Sequence, residues 1–198
     1  VIESLVKAIN KFDTYASKNR VEAVEDALQQ VNRKLVFEMT VGIGNEAMGS
    51  TVVVAVCHGS QCTCLWAGDS RLYVQRKDEL YQISKDHSVV QDMIDDGILS
   101  PELADDHPQN HVITRAIGID EELNLSTITF ELQQGDVLLL CSDGLYNEVN
   151  AELMCSILND RSLDCELKAQ SLLGAALNTQ ARDNISVSVI QVMECLTL

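Results

Sequence analysis

The sequence has 198 residues, 46% of them hydrophobic, and a formal net charge of −16. This length supports one sizeable hydrophobic core but is short for two, so we expect a single domain over residues 1–198. The negative charge argues against a nucleic-acid-binding surface or a surface for anionic membranes. No signal peptide and no apolar run of about eighteen residues is present, so we expect no membrane segment in this chain.

Seven cysteines, an odd number without a Cys-x-x-Cys pair, argue against a structural zinc site. Cys57, Cys64 and Cys141 lie in apolar runs typical of strands, where a free thiol usually serves as a small core residue. This pattern favours a reducing cytoplasm. No neighbouring feature supports a catalytic cysteine.

Two amphipathic helices are predicted at the start of the chain. Apolar residues recur at steps of three and four over residues 2–16 and again over residues 24–39, separated by a polar break at residues 17–20. Both apolar stripes are expected to face the core, although a helix that binds a partner's groove would have the same pattern. Residues 41–48, with two glycines, are expected to form a connector.

From residue 51 the pattern changes to strands. Apolar runs are present at residues 51–57, 61–67, 72–75 and 80–83, and Gly59-Ser60 and Lys77-Asp78 supply turns. We expect an antiparallel meander in a sheet that is covered on both faces, by a second sheet and by a helical layer.

A polar insertion follows at residues 86–111. Residues 86–97 are predicted to form a helix that stops at Gly97, and Ser100-Pro101-Glu102 to start another. His107 and His111 are four residues apart, but Pro108 between them disrupts the continuous helix that a zinc-binding pair would need. We therefore expect surface or capping roles for both histidines.

The rest of the chain alternates strands and helices. Residues 123–132 have an alternating pattern and are expected to pair with the strand that ends before Asp143. Asn150 and Ser162 are predicted to cap helices that end near Leu158 and Leu177, and a last strand is expected after Asp183.

Three aspartates stand at the ends of predicted strands. Asp143 follows the apolar run 137–141, Asp69 follows 64–67, and Asp183 precedes the alternating run 185–192. Any one Asp-Gly or Gly-Asp pair could serve only to form a turn. Three together favour one site for Mg²⁺ or Mn²⁺, which prefer oxygen ligands.

At these residues the sequence resembles the PPM-type (type 2C) metal-dependent serine/threonine protein phosphatases in their bacterial branch. The matching segments, in the family's order, are Gly49-Ser50-Thr51, Gly68-Asp69-Ser70-Arg71, Asp86-His87-Ser88, residues 113–118, Gly135-Asp136 through Ser142-Asp143-Gly144, and Asp183-Asn184. The resemblance covers residues 49–192. It implies an α+β fold of two stacked antiparallel β-sheets flanked by α-helices, an αββα sandwich.

The resemblance also implies a function and a site. It implies hydrolysis of phosphoserine and phosphothreonine on proteins by a metal-bound hydroxide, with a cognate serine/threonine kinase as a further partner. Two Mn²⁺ or Mg²⁺ ions are implied, with Asp143 and Asp183 as ligands, and Asp69 with Asp143 at an additional third position.

Other residues take supporting roles by the same resemblance. Ser142, Gly144 and Asn184 are expected to orient the ligands or form the turns, and Arg71 to make an orienting ion pair. Residues 86–111 correspond to the family's flap beside the active site. Substrate selection is expected there, at Asp95, Asp96 and His107.

One departure from the family leaves two interpretations. Family members begin with a strand that carries Arg and an Asn-Glu/Gln-Asp signature, and then a turn of the type Asp-Gly-x-Gly-Gly whose Asp bridges the two metals. Neither is present in this sequence, so the first strands of the fold are expected to be missing and the chain alone to be inactive. We favour a fragment of a longer phosphatase, because the three acids are retained. The alternative is a non-catalytic, phosphatase-like module that binds a protein partner.

Overall fold

The computed structural model describes residues 17–41, 49–179 and 183–193. The predicted helix at residues 2–16, most of the 41–48 connector and Cys195 lie outside the described residues. The helices are α1 Ser17–Thr40, α2 Val89–Asp95, α3 Asp143–Tyr146, α4 Ala151–Asn159 and α5 Cys165–Leu177, with a 3-10 turn at Pro101–Leu103. The strands are β1 Val52–His58, β2 Gln61–Ala67, β3 Arg71–Arg76, β4 Glu79–Gln82, β5 Ser126–Glu131, β6 Val137–Cys141 and β7 Val187–Gln191.

The strands form two antiparallel sheets, with orders β1-β2-β5 and β4-β3-β6-β7. Two antiparallel sheets with flanking helices confirm the predicted fold class. The simple meander is wrong, because the chain leaves the first sheet after β2 and enters the second at β3. The Gly68-Asp69-Ser70 turn therefore changes sheets instead of closing a hairpin.

The predicted pairing of β5 with β6 is also wrong. Both edges of β6 are already paired, with β3 on one side (Leu72 opposite Leu140) and β7 on the other (Leu138 opposite Ile190). β5 instead pairs with β2 in the three-stranded sheet. Alternation of apolar residues identified β5 as a strand but could not identify its neighbour, since pairing depends on long-range packing.

The described chain divides into two compact units, and β1, β2 and β5 each contribute residues to both. The second comprises Val53–Cys64, Ser70–Lys85 and the described residues from Ile128 onward. Its core lies where the four-stranded sheet meets α3, α4 and α5. The buried residues of this core are Tyr73, Val137, Leu139, Cys141, Leu145, Val149, Met154, Leu158, Leu172 and Ala176. Cys141 is thus a small core residue, as its apolar surroundings predicted.

The first unit comprises the described residues up to Val52, Leu65–Asp69 and Asp86–Thr127. Val24, Leu28 and Val31 of α1 are buried, which confirms the core-facing stripe. Asn32, also fully buried, donates from Nδ2 to Asp120 O (2.8 Å) and accepts at Oδ1 from Gly118 N (2.7 Å). The expected break at residues 17–20 lies inside α1, because a polar stretch without Gly or Pro does not stop a helix.

Two predicted helix starts are corrected by the capping side chains. α2 begins after Ser88, whose side chain accepts from Gln91 N, and not at Asp86. α5 is capped by Asp164, which accepts from Leu167 N, and not by Ser162. Ser162 instead donates its hydroxyl to Asp160 Oδ1 (2.6 Å) and so forms a local turn. Asn150 caps α4 as predicted. None of the helices within the described residues is long and apolar enough to cross a membrane.

Candidate metal-binding site

The Ser142-Asp143-Gly144 turn is positioned by the buried strand β6. Val137, Leu138, Leu139 and Cys141 of this strand are buried, and α3 starts directly after it at Asp143. Ser142 occupies the extended N-cap position. The first backbone N–H groups of a helix lack intrahelical partners, and Gly144 N donates to Asp143 Oδ1 (2.9 Å). A rigid strand end therefore presents the Asp143 carboxylate.

This turn packs directly on the segment that carries Asp183. Ser142 Oγ donates to Asn184 O (3.2 Å) and accepts from Ser186 N (2.9 Å), and Ser142 N donates to Ser186 O (3.1 Å). A Cβ at Gly144 would lie 2.5 Å from Asn184 O. Glycine is therefore required at position 144, because any side chain would push the two segments apart.

The two acids differ in exposure but share a local hydrogen bond. Asp143 is half-buried and Asp183 is exposed. Asp183 Oδ1 accepts from Asn184 N (2.7 Å), as Asp143 Oδ1 does from Gly144 N. In each case one oxygen orients the side chain, and the carboxylate has further lone pairs for a cation.

The chemistry of these donors fits a hard divalent ion. Carboxylate oxygens suit Mg²⁺ and Mn²⁺, and Mg²⁺ in particular is commonly held by one or two carboxylates with water completing its octahedron. In residues 17–41, 49–179 and 183–193, no group of three or more His, Cys, Asp or Glu side chains forms a metal-binding cluster. Two carboxylates with water would suit such an ion, and the assignment of Asp143 and Asp183 as its ligands stays a prediction.

Asp69 lies in the first unit, directly after a glycine with an unusual backbone. Gly68 has φ +108°, and a Cβ there would lie 2.4 Å from Thr51 Cγ2. Gly68 N donates to His87 Nδ1 (3.2 Å), and Gly68 O accepts from His87 N (3.0 Å). The turn that presents Asp69 is therefore held by two groups of His87, its ring nitrogen Nδ1 and its backbone N–H.

His87 is a residue whose role the sequence patterns missed, although the Asp86-His87-Ser88 match marked its position. Only 8% of it is exposed, and its ring stacks on Trp66 with centroids 5.9 Å apart. Nε2 lies 2.8 Å from Ser126 Oγ and 3.4 Å from Arg115 Nη1. Burial, and secondarily the charge of Arg115, lowers the pKa of His87 to about 4. A neutral ring can accept at Nδ1 and donate from Nε2 to Ser126.

Arg71 and Asp136, both parts of the matched segments, have contacts within the second unit. Arg71 Nη1 donates to Tyr73 Oη (2.9 Å), and its guanidinium lies 3.6 Å above the Tyr146 ring. Asp136 is 2% exposed and accepts two bonds from Arg76, at 2.8 and 2.7 Å. Asp136 is thus engaged in a bidentate structural ion pair, whereas the orienting ion pair expected for Arg71 stays a prediction.

The three flap residues predicted to select substrates lie in the first unit. Asp95 ends α2 and its Oδ1 accepts from Gln91 Nε2 (3.0 Å), while Asp96 is the C-cap. His107 Nδ1 accepts from Gln109 N (3.2 Å), a local turn contact. Asp95 and Asp96 are exposed and His107 is half-buried, and the role of all three in substrate selection stays a prediction.

Family models match two parts of the chain. The model described as Protein phosphatase 2C matches residues 4–92, and the model described as Stage II sporulation protein E (SpoIIE) matches residues 103–192. Together they define the class as that of a PP2C-like phosphatase domain.

Individual relatives agree with this class. The chain is 33% identical over 168 residues to the serine/threonine phosphatase stp of Listeria innocua, which covers 85% of this chain and 66% of that protein. The chain thus spans slightly less than two thirds of the length of that curated relative.

Solved structures extend the match to the fold. The structure of PppA, described as a key regulatory component of T6SS in Pseudomonas aeruginosa, is 34% identical with a TM-score of 0.85, over 96% of this chain and 78% of that one. The catalytic domain of the serine/threonine phosphatase PstP, solved with 2 manganese ions, is 28% identical with a TM-score of 0.83, over 98% and 79% of the two chains. The chain belongs to the PPM (protein phosphatase 2C) family, as the ordered motifs indicated.

Proposed function

We propose that the full-length protein hydrolyses phosphoserine and phosphothreonine on other proteins, with two Mn²⁺ or Mg²⁺ ions as cofactors. The observation that carries this proposal is the close packing of two segments, residues 142–144 and 183–186, against each other. Hydrogen bonds join the two segments, each segment carries one aspartate, and the chain belongs to the PPM family. The manganese ions of the related PstP structure support the choice of cofactor.

Asp143 and Asp183 are proposed to hold the ions through their carboxylate oxygens. When bound, such ions supply charge neutralisation at the phosphoryl oxygens and lower the pKa of water. Ser142 is proposed to hold the two segments together through the bond that its Oγ donates to Asn184 O, and Asn184 to orient Asp183 through the bond from Asn184 N to Asp183 Oδ1. Asp69 is proposed to serve the additional metal position, with a smaller effect on turnover.

Phosphorylated proteins are the proposed substrates, and a serine/threonine kinase that phosphorylates them is the proposed functional partner. Asp95, Asp96 and His107 of the flap are proposed to select among protein substrates. The six described cysteines are free, which supports a location in the reducing cytoplasm.

Asp143→Asn and Asp183→Asn in the full-length protein test the proposal. Since even the groups that orient metal ligands are worth about 10–100-fold, loss of a ligand should lower kcat/KM on a phosphothreonine peptide by more than about 100-fold. Asp164→Asn is the matched control, because it removes one acidic charge while Asn caps a helix as well as Asp does.

A parallel calorimetric titration with Mn²⁺ separates the site from the fold. We expect both site variants to lose metal affinity and to keep the wild-type circular dichroism, whereas Asp164→Asn should bind metal normally. Turnover of either site variant at the wild-type level would disprove the metal assignment. An inactive full-length protein that binds two ions tightly would disprove the proposed reaction.

A further inference from the structure

A pair of cysteines faces one another across the β1–β2 hairpin. Strand β1 ends at His58 and β2 begins at Gln61, so the two strands are connected by the two-residue turn Gly59-Ser60. Gly59 has φ +57°, typical of the first central position of a tight hairpin turn. Counting outward from this turn places Cys57 directly opposite Cys62.

The side chains meet at this position. The two Sγ atoms are 3.6 Å apart, within hydrogen-bond distance for sulfur. Residues directly opposite on antiparallel strands have Cβ atoms about 4.5–5.5 Å apart, close to the range of about 3.5–4.5 Å that a disulfide needs. A small side-chain movement is therefore enough to form a bond, without a change of strand register.

From this geometry we propose that Cys57 and Cys62 form a reversible redox site, in which Cys57 reacts with a hydroperoxide and Cys62 resolves the product to a disulfide.

The two thiols are suited to different roles. Cys57 is exposed and can meet a small oxidant, whereas Cys62 is completely buried. The hydrogen bond from the Cys62 thiol to the ionised sulfur lowers the pKa of Cys57 to about 7, against the opposing effect of burial. The same contact and burial raise the pKa of Cys62. Cys57 is thus the more readily ionised of the two thiols, and Cys62 is the one that keeps its proton.

The chemistry balances with a hydroperoxide as the oxidant. The Cys57 thiolate attacks the distal oxygen, the O–O bond breaks, and the leaving alkoxide or hydroxide takes up a proton. The resulting sulfenic acid is then attacked by the Cys62 sulfur, the S–O bond breaks, and the departing hydroxide takes the Cys62 proton to leave as water. Two thiols lose two hydrogens in total, and one peroxide is reduced.

Hydrogen bonds to neighbouring segments position the β1–β2 hairpin, so folding does not require a Cys57–Cys62 disulfide. Leu132 N donates to Ser60 O at the turn (2.8 Å), and Thr63 Oγ1 meets Thr129 Oγ1 (2.9 Å) on the neighbouring strand β5. A disulfide here would close a loop of about six residues, which removes little chain entropy from the unfolded state. Because the fold does not depend on the Cys57–Cys62 disulfide, this bond can form and be reduced without unfolding the protein.

Limited hydrogen peroxide at pH 7, followed by alkylation and peptide mapping of the full chain, tests the proposal. The hydrogen bond with Cys62 lowers the pKa of Cys57 to about 7, so at this pH more of it is ionised than of an ordinary thiol. Lower nucleophilicity offsets part of this gain, and Cys57 should react at least about fivefold faster than Cys155. Burial raises the pKa of Cys155, and Cys155→Ser is the matched control. We expect a Cys57–Cys62 disulfide in the wild type and in Cys155→Ser, which dithiothreitol reverses.

Single variants assign the two roles. Cys62→Ser should accumulate a Cys57 sulfenic acid that dimedone traps, and Cys57→Ser should leave Cys62 reduced. Circular dichroism of the reduced proteins confirms that each variant is folded. Oxidation of Cys155 as fast as Cys57, oxidation of Cys57 directly to sulfinic acid in the wild type, or a disulfide to any other cysteine would overturn the proposal.

Discussion

The turns that present Asp69 and Asp143 look alike in sequence, but they are held by different forces. At Asp69 the preceding glycine adopts a positive φ, and both of its backbone polar groups bond to the buried His87. At Asp143 the following glycine has ordinary helical geometry, and its missing side chain makes room for the carbonyl of Asn184. One turn thus depends on conformation and a buried ring, the other on close backbone packing.

Gly68→Ala should have the largest effect on stability of the changes considered for these turns. The new Cβ would be strained at φ +108° and would meet Thr51 Cγ2 at 2.4 Å and Thr51 Cβ at 2.7 Å. Backbone strain of about 1–3 kcal/mol and overpacking of about 1–3 kcal/mol act together, so we expect a loss of about 3–4 kcal/mol. Urea unfolding monitored by circular dichroism measures it.

Gly135→Ala separates the two contributions. Gly135 also has a positive φ, +92°, but a Cβ there meets nothing within 4 Å. This control should show the conformational cost alone, about 1–2 kcal/mol. Equal losses in both variants would mean that the contact with Thr51 is unimportant.

His87 should make stability depend on pH. Its pKa is about 4 in the folded protein and about 6.5 in the unfolded chain, so between these values only the unfolded chain binds the proton. The stabilisation is complete above pH 6.5 and decreases as the pH falls toward 4, by about 3 kcal/mol in total. Unfolding free energies of wild type and His87→Phe over this range should converge at low pH. Parallel curves, or an NMR titration of His87 near pH 6.5, would contradict the expectation.

More of the turn at Asp143 than of the turn at Asp69 could be predicted from the sequence. Local patterns identified β6 and β7, because both are apolar or alternating runs with turn residues at their ends. The role of His87 could not be found this way, because it arises from contacts with Gly68, Trp66 and Ser126 that are distant along the chain.

The same limit explains the errors in topology. Alternation marked β5 as a strand but not as the neighbour of β2, and Ser162 and Asp164 are both good capping residues by type. Which of the two caps α5 was decided by the competing hydrogen bond from Ser162 to Asp160.

Gly144→Ala should have an intermediate effect that comes from packing alone. Its Cβ would lie 2.5 Å from Asn184 O and 3.3 Å from Ile185 Cγ1, so the segment that carries Asp183 must move. Overpacking of this kind costs about 1–3 kcal/mol. In the full-length protein, kcat should fall as well, since the two carboxylates would separate.

The control for Gly144→Ala is Gly174→Ala in α5, where the new Cβ meets nothing within 4 Å. Alanine in an open helical position should stabilise by about 0.5–1 kcal/mol. Stabilisation by both changes would show that the contact between Gly144 and Asn184 is looser than the structure indicates.

Ser142→Ala should have the smallest effect on stability, and it should act on the same contact between residues 142–144 and 183–186. The variant loses the bond that Ser142 Oγ donates to Asn184 O and the bond that it accepts from Ser186 N. The site is partly exposed, so water replaces much of what is lost, and we expect about 1 kcal/mol of destabilisation. Ser186→Ala is the control, because the bonds described between Ser186 and Ser142 come from the backbone of Ser186.

Metal affinity should fall in Ser142→Ala and not in Ser186→Ala, since only the first loosens the contact that keeps Asp143 beside the Asp183 segment. If calorimetry with Mn²⁺ gave the same affinity for both variants, the hydroxyl would have only a structural role at the end of β6.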